Sequence, residues 1–126
     1  MIHSPRFLNL CEAVMSKVKE ITRADLQKKM KSKSKMVLID VREDSEWDKG
    51  HIPNAIHIGK GILERDIEKT VPDTDREIIL YCGGGYRSLL AADSLQKMGY
   101  TNVFSLAGGI RDWRDNGGEV TEEKSS

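Results

Sequence analysis

Cysteine is scarce in this sequence: Cys11 and Cys82 are the two among 126 residues. Two cannot form a disulfide framework. They also exclude a structural zinc site made wholly of cysteine, and the three histidines, His3, His51 and His57, show no metal-ligand spacing. No metal or other cofactor is therefore expected. An excess of charge of one sign is missing too. The 20 basic and 20 acidic residues cancel, which argues against a general binder of nucleic acid or of membrane surfaces. Long hydrophobic runs are absent: residues 36–39 and 78–80 are too short to cross a bilayer. Residues 1–11 lack the uninterrupted apolar stretch of a secretory signal, so a cytoplasmic location is expected.

What remains has the profile of one ordinary globular domain, 38% hydrophobic and 32% charged. Its length supports a hydrophobic core without staples. Residues 7–19 carry Phe7, Leu10, Cys11, Val14 and Val18 at helical spacing, which predicts an amphipathic helix with Cys11 as a small buried apolar residue. Ile21 suits a short edge strand. Thr22 caps a second helix over 23–31, with Asp25 in its first turn. Five lysines between Lys28 and Lys35 read as a solvated helix end, or else as a patch for an anionic partner protein.

Residues 36–40 form a short apolar run ending in an acid, Asp40, and residues 77–82 are apolar after Glu77, the pattern of strands buried on both faces of a parallel sheet. Shorter strands are expected at 55–58 and 102–105. Helices are expected at 60–69, with Ile62, Leu63 and Ile67 on one side, at 87–98 and at 110–115, with a helical turn near Glu46 and Trp47. Residues 121–126 look like a frayed tail. Strands alternating with helices predict an α/β fold: an open parallel sheet of about five strands with helices on both faces. Ligands bind such sheets at the carboxyl ends of the strands, and Asp40 and Cys82 both sit there.

The chemistry concentrates at Cys82. It ends a strand and opens a loop, Cys82-Gly83-Gly84-Gly85-Tyr86-Arg87, with Ser88 in the first turn of the following helix. A thiolate is the nucleophile. Amides at a helix N-terminus stabilise an anion, and the glycines let loop amides turn inward around the sulfur. Arg87 adds a permanent charge whose fork suits an oxyanion. Such a loop serves sulfur transfer through a cysteine persulfide or phosphoryl transfer through a cysteinyl phosphate. The spacing is Cys-x4-Arg, one residue short of the Cys-x5-Arg that wraps a phosphate in cysteine phosphatases. That favours a single extra sulfur atom on Cys82.

Four segments together resemble the single-domain rhodaneses, the thiosulfate-type sulfurtransferases. They are the run ending Asp40-Val41-Arg42, the run Gly50-His51-Ile52-Pro53-Asn54-Ala55 with Asn54 where glycine is common, the Cys82–Ser88 loop, and Gly108-Gly109 followed by Trp113. The resemblance covers about residues 21–116. It implies a rhodanese-like fold at 21–117, a helical extension at 1–20 and a flexible tail at 118–126.

It further implies that Cys82 takes a sulfane sulfur from thiosulfate or a related small sulfur anion. The resulting persulfide passes the sulfur to cyanide or a thiol. Gly83, Gly84, Gly85, Tyr86, Arg87 and Ser88 would bind substrate and steady the sulfur, with Arg87 placing the donor and Tyr86 shaping entry for the acceptor. Asp40 and Arg42 would support the loop, or Arg42 would hold donor anion at the rim. His51 is expected to be a structural hydrogen-bonding residue. The alternatives are a persulfide carrier that hands sulfur to a protein partner and, third, a cysteine phosphatase or arsenate reductase.

Overall fold

The computed structural model describes residues 3–122. Its centre is a five-stranded, all-parallel sheet of order β1-β5-β4-β2-β3. The strands are β1 (Lys19–Ile21), β2 (Val37–Asp40), β3 (Ile56–His57), β4 (Ile78–Tyr81) and β5 (Val103–Leu106). Six α-helices alternate with them: α1 (Pro5–Met15), α2 (Arg23–Lys31), α3 (Asp44–Asp48), α4 (Leu63–Thr70), α5 (Arg87–Lys97) and α6 (Gly109–Asp115).

The period of two along each strand divides the core into two layers. Ile39, Ile78, Leu80 and Val103 face one side. There they pack with Cys11 and Val14 of α1, Leu63 and Ile67 of α4, and Leu89, Ala92 and Leu95 of α5. Leu38, Ile79, Tyr81 and Leu106 face the other side, against Leu26 of α2 and Ile110 and Trp113 of α6. β4 lies between β5 and β2, all four of its residues are buried, and Cys82 follows directly at its carboxyl end. The strand that carries the thiol is thus the one most completely fixed by packing.

Helix α2 spans the residues expected from its cap; Thr22 accepts the Asp25 amide at 3.1 Å. Elsewhere the boundaries move. The first helix starts earlier, with Pro5 in its first turn, and stops at Met15. Pairing of Lys19–Ile21 with Phe104–Leu106 outcompetes helix propensity over the last residues of the expected span. Residues 60–62 form a tighter 3₁₀ turn before α4 begins, so Ile62 is 42% exposed while Leu63 and Ile67 are buried. Asn54 has φ +70°, the left-handed turn conformation that explains how it replaces glycine.

The expected fraying does not begin at Thr121. Its amide and carbonyl pair with those of His51 at 2.9 and 2.8 Å, and Trp113 Nε1 donates to the Glu119 carbonyl at 2.8 Å. Residues 123–126 of that expected tail lie outside the described residues. Among the described residues, no helix is long and apolar enough to cross a membrane.

Candidate active site

Cys82 is held at the junction of β4 and the loop that feeds α5, with its side chain almost wholly buried. Sγ accepts the Gly85 amide at 3.2 Å and the Ser88 amide at 3.4 Å. The Ser88 amide is one of the first-turn donors that a helix leaves without an intrahelical partner, so α5 presents its positive end to the sulfur. The Ser88 hydroxyl lies 3.5 Å from Sγ and 2.8 Å from the hydroxyl of Ser105 on β5, forming a short buried polar chain behind the thiol. The inward-turned loop expected from the sequence is therefore carried by Gly85 and Ser88. Of the three successive glycines, only Gly85 has positive φ, at +96°.

The loop is clamped from below by α6. The amides of Ile110 and Arg111 donate to the carbonyls of Cys82 and Gly83 at 2.9 and 3.0 Å. Gly109 permits this approach. A Cβ there would lie 2.5 Å from both carbonyl oxygens, and its φ is +58°. The Gly108-Gly109 pair thus serves the cysteine loop, 26 residues upstream, by letting one backbone lie directly on another.

Above Cys82 a cavity of about 620 Å³ opens to solvent. Gly83, Gly84, Tyr86 and Arg87 form its loop wall, Glu46 and Arg111 flank it, and His3, Ser4 and Phe7 close it from the N-terminal side. Both arms of Arg87 engage Glu46, Nη1 to Oε1 and Nη2 to Oε2, each at 3.0 Å. This hydrogen-bonded pair holds the Glu46 carboxyl below its ordinary range and raises Arg87 further. Tyr86 stacks obliquely with His3 at 4.7 Å between ring centroids and faces Phe7 at 6.4 Å. From the layer beneath, Cys11 Sγ donates to the Tyr86 carbonyl at 3.7 Å. Burial, with the nearby Cys82, pushes the Cys11 thiol up.

A family model for the rhodanese-like domain matches residues 22–116. The chain belongs to the rhodanese-like family. Among its relatives, the putative sulfurtransferase YtwF of Bacillus subtilis is 36% identical over 96 residues, 76% of this chain and 90% of that protein. The putative sulfur carrier protein YrkF, also of Bacillus subtilis, is 34% identical over 98 residues, 78% of this chain but about half (52%) of that protein. Among solved structures, one from Rhodopseudomonas palustris aligns with a TM-score of 0.85 and 30% identity, over 96% of this chain and 99% of its own. That protein is described as one of unknown function and a possible tyrosine phosphatase.

In this rhodanese-like domain, Asp40 and Arg42 sit on the same sheet edge as Cys82 but do not line its cavity. Asp40 is fully buried. It receives the Arg42 amide at 2.9 Å and the guanidinium at 2.8–3.1 Å, and the guanidinium also donates to the Gly50 carbonyl at 2.7 Å. Burial alone would lower the Arg42 pKa; the Asp40 hydrogen bond and charge outweigh it, and the net shift is upward. The pair ties β2 to the Gly50 turn, and Arg42 does not stand at a rim for donor anions.

Tyr81, immediately before the cysteine, accepts the Ile52 amide at 3.0 Å; burial, then Asp40, pushes its phenol far up. His51 packs flat on Trp47, ring centroids 3.4 Å apart, with Nδ1 3.2 Å from the Trp47 carbonyl.

Glu46, Arg111, Ser105, His3 and Phe7 were not singled out by the sequence as site residues. Glu46 carried a signal, three residues after Glu43 in a helix-start pattern whose capping box forms. Arg111 occupies an unspecified position of the Gly-Gly-x-x-x-Trp segment, and the others reach the site only through tertiary packing.

Proposed function

We infer that this protein is a sulfurtransferase in which Cys82 carries a sulfane sulfur as a persulfide. The observation that carries the reading is the double amide cradle on a buried Sγ at the floor of an open cavity. In the first half-reaction the Cys82 thiolate attacks the outer sulfur of thiosulfate or a related donor. A Cys82–sulfur bond forms, the donor's sulfur–sulfur bond breaks, and sulfite leaves with the electron pair. In the second, an acceptor takes the outer sulfur and returns the thiolate. The amides of Gly85 and Ser88 steady negative charge on Sγ through both halves, and no general base is required of the loop. Relatives named sulfurtransferase and sulfur carrier fit this reading.

Intact mass tests it directly. Thiosulfate should add one sulfur atom to the reduced protein, cyanide should remove it, and a folded Cys82→Ser variant should gain none. A wild type that gains no sulfur from thiosulfate or polysulfide overturns the reading. A phosphatase is the second reading, favoured by the description of the Rhodopseudomonas structure. The engagement of Arg87 with Glu46 and the short Cys-x4-Arg loop oppose it, since the guanidinium is not free to hold a phosphate. Hydrolysis of p-nitrophenyl phosphate that depends on Cys82 would reverse that judgement.

A further inference from the structure

Ser105 is out of place in its surroundings. β5 alternates between the two layers: Phe104 and Leu106 pack into one, while Val103 and Ser105 turn toward the other, which holds Leu80, Leu89 and Ala92. Ser105 is in register with Leu80 on β4 and is fully buried. A hydroxyl in an apolar layer costs stability unless it finds a hydrogen-bond partner. Alanine or valine would meet the packing there without that cost.

The hydrogens of the buried chain can be counted. A serine hydroxyl has one hydrogen and can accept as well. Among the described residues Ser105 Oγ has one hydrogen-bond partner, Ser88 Oγ at 2.8 Å. Its hydrogen is therefore satisfied only when it donates to Ser88. Ser88 Oγ has two partners, Ser105 Oγ and, at 3.5 Å, Sγ of Cys82. With Ser105 donating to it, Ser88 sends its own hydrogen to the sulfur. Reversing the chain would leave the Ser105 hydrogen without an acceptor. The amides of Gly85 and Ser88 are aimed at Sγ by the backbone. A hydroxyl rotates, and something must hold its hydrogen in place.

We propose that Ser105 is a positioning residue for Cys82: acting through Ser88, it fixes a third donor on Sγ and so favours the thiolate. This rests on the sulfurtransferase reading above for what the thiolate does, since the reaction begins with that anion and returns to it. Ser105 touches neither the sulfur nor the cavity; β5 reaches the site only through the Ser88 hydroxyl.

Iodoacetamide alkylation of the full chain is followed against pH, with modified Cys82 identified by peptide mass. Loss of the third donor weakens the anion, so Ser105→Ala should move the profile up by about half a pH unit. Below the midpoint, thiosulfate should load sulfur about threefold more slowly, the same shift read as a rate. Ser105→Thr should keep the wild-type profile, and Ser105→Val, its equal in shape, should shift like alanine; this pair serves if Ser105→Ala does not fold. Ser88→Ala should shift the profile at least as far as Ser105→Ala, and the double variant no further than Ser88→Ala alone. The charged and titratable groups around Cys82 are Arg87 from α5, Glu46 from α3, Arg111 from α6, Tyr86 from the loop, Cys11 from α1 and His3 before it. Every variant keeps them. Unshifted profiles in the variants that lack the Ser105 hydroxyl overturn the proposal, and so does a Ser105→Ala shift that adds in full to that of Ser88→Ala. A wild type that alkylates at Cys82 yet loads no sulfur from thiosulfate or polysulfide gives a different signature. It overturns the sulfurtransferase reading, and the alkylation profiles then decide the hydroxyl chain by themselves.

Discussion

Arg87 and Glu46, 41 positions apart, close a two-armed ion pair across the mouth of the Cys82 cavity. Both side chains are about one-third exposed, so the pair shapes the site more than it stabilises the fold. It also places a carboxylate where the proposed anionic donor would approach. Glu46→Gln should therefore lower the KM for thiosulfate several-fold at neutral pH, as expected from removing a like charge worth on the order of 1 kcal/mol at about 4 Å in water. Steady-state kinetics checks this, and an unchanged or raised KM would contradict it.

The same pair sets a pH dependence. The Glu46 carboxyl is held below its ordinary 4.5 by the Arg87 hydrogen bonds. Its stabilising contribution is present above 4.5 and lost as pH falls through the depressed folded value. A stability profile of the wild type minus that of Glu46→Gln should be flat above pH 5 and shrink below about 4.5. Urea denaturation at a series of pH values measures it.

Asp40 and Arg42 make a contrasting pair, both buried and meeting at 2.8 Å. Removing one charge leaves the other buried without its counter-ion. Asp40→Asn should cost about 3–5 kcal/mol of stability. Urea denaturation would show it, and a loss below about 1 kcal/mol would mean that water enters to solvate Arg42.

Gly109 offers a steric test. Gly109→Ala puts a methyl group 2.5 Å from the carbonyl oxygens of Cys82 and Gly83 at positive φ. It should destabilise by about 2–4 kcal/mol and slow alkylation or sulfur loading of Cys82. Gly61→Ala, with open space around the new Cβ and no positive φ, should do neither. Thermal unfolding together with iodoacetamide kinetics separates the two.

Features written in local pattern were readable in the sequence. Residues 36–39 and 78–81 are apolar without interruption because both faces of β2 and β4 are covered, and Cys82 with its loop is contiguous. Thr22 announced α2 by its capping chemistry. Features decided by distant partners were not readable. The first helix yields its last residues to pairing with β5, Thr121 is held by His51, and Ile62 turns outward because a 3₁₀ turn shifts its phase. Arg87 carried the right charge for a donor anion, yet its partner is a carboxylate from α3 that no spacing rule connects to it.

The near-complete burial of Cys82 Sγ has a kinetic consequence. On the sulfurtransferase reading, a second sulfur attached there would extend into the cavity, while the bond that must break would stay within the protein wall. Bulk oxidants and stray thiols would then meet that sulfur through the mouth of the cavity, past Phe7, Glu46, Tyr86 and Arg111. Its lifetime would then be governed by admission rather than by intrinsic reactivity. A protein built this way can hold an activated sulfur between donor and recipient, and the fit of the recipient to the entrance sets the moment of release.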